Sequence, residues 1–82
     1  MKAKRQKFQW FRYNRYIILL NRMIRAHVNL GFTSAAIQLD NEINNRTLSR
    51  IIRYYKRRGF AVRVGVYSFG VRWGSEQNSG NI

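Results

Sequence analysis

Acidic residues are scarce: three Asp and Glu stand against sixteen Lys and Arg, a formal charge of +13 over 82 residues. So few carboxylates exclude neutralisation of the basic side chains within the chain. The excess must face solvent or an anionic partner. Cysteine is absent, which excludes disulfide bracing and thiolate metal sites. His27 is the only histidine, and it reads as a partly buried helix residue. No catalytic triad, glycine-rich phosphate loop or zinc-ligand spacing occurs. Asp40 and Glu42 are close enough in sequence to chelate Mg²⁺ with help from other groups. That is too little for an active site, so no enzyme is expected, and no catalytic residue, metal or cofactor is assigned.

Long apolar runs are also missing. The longest is Tyr16 to Leu20, "YIILL", far short of a bilayer span and shorter than a signal-peptide core. No targeting signal is read, and a cytoplasmic protein is expected.

What is present fits one small domain. The length allows one at most. Hydrophobic residues at 45% and aromatics at 15% argue against global disorder. Residues 1–7, "MKAKRQK", are basic without a core face and read as a flexible arm. Residues 8–74 form the domain, and 75–82 form a flexible polar tail.

From Phe8 to about Leu30 the pattern is helical. Tyr13, Tyr16, Ile17, Leu20, Met23, Ile24, His27 and Val28 form one stripe, with Arg12, Arg15, Arg22 and Arg25 opposite. Gly31 is a natural stop. In Phe32 to Asp40, Thr33, Ala35, Ile37 and Leu39 alternate with polar or small residues and suggest a strand, although "SAAIQLDNEI" also suits a short helix. Asn44 or Asn45 can cap the next helix. There Leu48, Ile51, Ile52 and Tyr55 make a core face, and Arg46, Arg50, Arg53 and Arg57 make a second stripe away from it. Lys56 and Arg58 widen that stripe, and Gly59 sits at the C′ position. A hairpin follows. A turn at Tyr67-Ser68 would pair Val66 with Phe69, Val64 with Val71 and Val62 with Trp73. It would also set Arg63 opposite Arg72 and Gly65 opposite Gly70.

The expected fold is therefore α+β: helix, strand, helix, strand, strand, with a three-stranded sheet carrying the apolar sides of both helices. The alternative is a winged helix-turn-helix. The two differ only at Phe32 to Asp40.

For function, the stripe of the second helix is the strongest signal. Solvated faces usually mix Glu with Lys, yet no acid lies between Glu42 and Glu76. Arginine carries the planar fork suited to phosphate and base edges. The candidate nucleic-acid contacts are Arg46, Arg50, Arg53, Lys56, Arg57 and Arg58 of that helix and Arg12, Arg15, Arg22 and Arg25 of the first. Lys4, Arg5 and Lys7 of the arm and Arg63 and Arg72 of the hairpin complete the set. Trp10, Phe11 and Tyr13 either stack on unpaired bases or pack on the hairpin, with packing favoured. The expected partner is DNA or RNA. The rival is an acidic protein surface, and a membrane surface ranks third.

Two resemblances accompany this reading. The order helix, "GFTS" strand, helix, "RRGFAVRV" strand, "FGVRWG" strand, over about residues 17–74, resembles small accessory proteins of tailed bacteriophages. That resemblance implies a virus-encoded protein acting in the cytoplasm of an infected bacterium, where the acidic surface could belong to RNA polymerase or the ribosome. "NNRTLSRIIRYYKRRGFAVRV" resembles the recognition helix and wing of winged helix-turn-helix domains, which implies Thr47, Arg50 and Arg53 at the groove. The upstream segment departs from that family, with Glu42 where glycine is usual.

Overall fold

The helical period that begins at Phe8 becomes α1, Trp10–Asn29, and the stripe beginning near Leu48 lies in α2, Asn45–Arg57, of a computed structural model that describes residues 7–74. Between them the ambiguous segment is a strand, β1, Ser34–Gln38; β2, Ala61–Gly65, and β3, Ser68–Arg72, form the hairpin. The fold is the expected α+β arrangement. The winged-helix alternative needs a helix where β1 lies. The burial of β1 alternates, with Ala35 and Ile37 inward and Leu39 buried just beyond.

All pairing is antiparallel, in the order β1-β3-β2. Leu39 N donates to Tyr67 O at 2.8 Å, and Trp73 N donates to Thr33 O at 2.9 Å, extending the β1–β3 ladder at both ends. These remote partners decide β1 against its moderate helix propensity.

The hairpin register differs from expectation. Val62 faces Val71, Val64 faces Phe69 and Gly65 faces Ser68, so the turn is Val66-Tyr67. Val66 is exposed in that turn, and Tyr67 takes φ 60°. Moving the turn by one residue shifts the pairing by two, which keeps the side chains that remain paired on their expected faces while Val66 moves into the turn. It also sets Arg63 opposite Gly70, and Arg72 between Ala61 and Ser34. The like-charge pair of the expected register is thereby avoided.

Both helices pack on one face of the sheet. Leu20, Ile51, Tyr55 and Phe69 are fully buried at the centre. The core face of α2 is centred on Thr47, Ile51 and Tyr55, while Leu48 and Ile52 are only half-buried. Val28 lies past the core and is exposed. Trp73 is half-buried, edge-on to Phe60 at 6.1 Å. Buried hydroxyls join the helices to their surroundings. Tyr55 donates to Asn21 Oδ1 at 2.9 Å, and Asp40 N donates to the Tyr16 hydroxyl at 2.7 Å. Burial raises the pKa of both phenols, so they stay protonated well into alkaline pH.

Candidate nucleic-acid interface

The local sequence fixes α2 at both ends. Asn44 is the N-cap, its side-chain oxygen accepting from Thr47 N at 2.9 Å. Gly59 ends the helix at φ 90°, a conformation that disfavours any residue with a Cβ. With Thr47, Ile51 and Tyr55 turned inward, the outward arc carries Arg46, Ser49, Arg50, Arg53, Lys56 and Arg57, all exposed. No carboxylate occurs on the helix. Lys56 and Arg57 lie in its last turn, where the helix dipole favours cations.

The arc has two parts. Arg53, Lys56 and Arg57 line a shallow depression of about 440 Å³ with Ser49 and Ile52. Among the described residues, these three cations have no hydrogen-bond or ion-pair partner. Arg50 of the arc, and Arg58 at the C-cap just beyond it, are instead built into the fold. Arg50 lies over the Phe8 ring at 4.4 Å. Arg58 lies over the Tyr54 ring at 3.7 Å and donates to Tyr54 O at 3.3 Å. A stacked guanidinium keeps its charge and its outward edge, so both can still meet an anion.

The first helix behaves differently. Arg12 Nε is 3.5 Å from Asp40 Oδ2, and Arg12 Nη2 donates to Glu42 Oε1. Arg15 Nη2 is 3.6 Å from the same Asp40 oxygen. Arg12 is therefore paired with acids within the fold and Arg15 partly so. Asp40 and Glu42 are correspondingly taken up by arginine rather than set to chelate Mg²⁺. Arg22 and Arg25 remain exposed.

Arg63 and Arg72 occupy the outer sheet face with Ser34, Ala36 and Gly70, around a depression of about 520 Å³. That face is opposite the helices, so the fold separates Arg63 and Arg72 from the α2 arc. Thr47, a groove contact in the winged-helix reading, is fully buried, and its hydroxyl accepts from Gln9 N at 2.9 Å. His27 Nδ1 lies 3.0 Å from Ser34 O and ties the end of α1 to β1. Lys7 is exposed, and its carbonyl accepts from Asn44 Nδ2 at 2.6 Å, so this end of the basic arm is anchored to the α2 cap. Lys4 and Arg5 lie outside the described residues.

Of Trp10, Phe11 and Tyr13 near the arm, Tyr13 is half-buried against the core, edge-on to Tyr54 at 6.5 Å, and the other two are exposed. Trp10 is 55% exposed and stacks on Tyr13 at 6.3 Å; Phe11 is 85% exposed. Phe8, unassigned from the sequence, contacts both Trp10 and Tyr13 and underlies Arg50. Only its place in an aromatic-rich stretch hinted at a role.

No protein-family model, curated protein or solved structure matches this chain.

Proposed function

We propose that the protein binds nucleic acid, DNA or RNA, through phosphate contacts made by the outward arc of α2. The observation that carries this reading is the company of Arg53, Lys56 and Arg57. They share one depression, no carboxylate interrupts the helix, and no described side chain neutralises them. Like charges at such spacing cost a few tenths of a kcal/mol per pair in the free protein. Phosphates would reverse that cost and release counterions from the nucleic acid. Arg46 and Arg50 extend the arc toward the N-terminus of α2, and Arg22 and Arg25 add long-range attraction. Such a protein works where nucleic acid is accessible, and we place it in the cytoplasm.

The test is a salt titration against generic DNA and RNA followed by fluorescence anisotropy. The expected result is log-log salt dependence equivalent to about three or more phosphate contacts. Affinity that is absent at low salt, or indifferent to salt, would refute the proposal.

A second reading has its own observation. Phe11, Ile18 and Leu19 are exposed on the outer side of α1, flanked by Arg15 and Arg22 around a depression of about 640 Å³. An acidic protein surface with an apolar centre would suit that patch. Specific capture of a protein from nuclease-treated lysate, abolished by Phe11→Ser with Ile18→Ser, would favour it.

A further inference from the structure

We propose that Trp10, beside the Phe8 ring on which the Arg50 guanidinium lies, is a stacking seat for an unpaired base, so that the nucleic acid bound is single-stranded. This inference rests on the phosphate-binding reading of α2 and specifies its substrate class.

Three observations support it. First, the exposure of Trp10 is not what packing demands. Phe69 is fully buried and Trp73 is half-buried, whereas Trp10 keeps more than half of its surface in solvent. It rests on Tyr13 at an interplanar angle of 28°, so the ring is supported from one side while much of it stays open.

Second, the seat is held rigidly against the phosphate-binding helix. Gln9 N donates to Thr47 Oγ1 at 2.9 Å, and Asn44 N donates to Gln9 Oε1 at 3.0 Å. With the Asn44 side chain bound to Lys7 O, these bonds clasp residues 7–9 to the first turn of α2. A ring placed on such a clasp loses little freedom when a base stacks on it.

Third, flat groups and cations interleave here. Trp10 is 6.4 Å from Phe8, and Phe8 is 4.4 Å from the Arg50 guanidinium, which is one turn along α2 from Arg46 and one from Arg53 and Tyr54. Aromatic faces next to a phosphate-binding track suit a single strand, whose bases are free to stack; a duplex keeps its bases inside.

Trp10 and Trp73 are the two tryptophans, so Trp73→Phe leaves Trp10 as the sole tryptophan, excited selectively over the tyrosines. That variant is titrated at low salt with oligo(U), oligo(dT) and a blunt DNA duplex. Both single strands should quench Trp10, and the duplex should not; unequal quenching by the two strands would rank RNA against DNA. In the wild-type background, Trp10→Leu should weaken single-strand binding about fivefold or more, with duplex affinity and the salt slope unchanged, and Trp10→Phe should recover most of the loss. Melting temperatures check that each variant is folded; if Trp73→Phe is not, the Trp10 series decides alone. Trp10→Leu binding single strands as tightly as wild type, with salt-dependent binding intact, would overturn the stacking seat and leave the phosphate reading standing. Absence of salt-dependent binding to any of the three would overturn both.

Discussion

The N-terminal half of α1 and the outer arc of α2 both carry arginines and differ in what the fold does with them. On α1, Arg12 and Arg15 meet Asp40 and Glu42, the only acids among the described residues. On α2, Arg53, Lys56 and Arg57 meet no acid among the described residues. The loop after β1 carries both carboxylates to α1, where Asp40 N also holds the Tyr16 hydroxyl. A count of basic residues therefore overstates how many cations lack an acidic partner among the described residues. The distribution of a few acids determines which arginines remain available.

The largest expected effect comes from reversing the unpaired cations. Arg53→Glu with Arg57→Glu should weaken nucleic-acid binding about 100-fold and flatten the salt slope by about two units. The melting temperature should fall by a few degrees at most, because both side chains are exposed and lack partners among the described residues, and only the helix dipole opposes a carboxylate in the last turn. Arg50 is the wrong choice for this test, since its guanidinium covers Phe8. Unchanged affinity in the double variant, measured by anisotropy, would erase the functional distinction between the helices.

Removing the acids is the converse experiment and should have a smaller effect. Asp40→Asn with Glu42→Gln takes two negative charges from a net +13, giving +15, and releases Arg12 and Arg15. Binding should tighten about threefold through long-range attraction. The lost ion pairs should cost about 1 kcal/mol or less each, since the carboxylates are 42% and 73% exposed. An affinity gain of about tenfold or more would mean that α1 forms part of the interface and is held back by its acids.

The sequence exposes the helices well because their information is local. The 3–4 spacing of Tyr13, Ile17, Leu20 and Ile24, the cap at Asn44 and the stop at Gly59 need no partner elsewhere in the chain. The strand β1 is harder, since "SAAIQ" has a short apolar pattern that pairing with β3 decides. The hairpin turn is harder still. Two registers bury the same face, and only the avoidance of Arg63 facing Arg72 separates them locally. The stripe of α2 was legible as a stripe. The difference between the stacked Arg50 and the exposed Arg53 and Arg57 was not, because Arg50 depends on Phe8, far away in sequence. The pairing of Arg12 with Glu42 is equally non-local, as is the clasp of Gln9 on the cap of α2.

The smallest expected effect lies in that hairpin and serves as a control on the comparison of the helices. Tyr67 is the only non-glycine among the described residues with positive φ, and its side chain is 55% exposed. The left-handed conformation costs a residue with a Cβ about 1–2 kcal/mol, and glycine returns part of that through the greater freedom of the unfolded chain. Tyr67→Gly should therefore stabilise the protein by about 0.5–1 kcal/mol. The melting temperature should rise by a few degrees for a domain of this size. The bond from Leu39 N to Tyr67 O uses only backbone and survives the change. Nucleic-acid affinity should stay the same, because the turn bears no charge and contributes nothing to the α2 arc. A raised melting temperature with lost affinity would place a contact at the hairpin end, and α2 would no longer be the principal binding face.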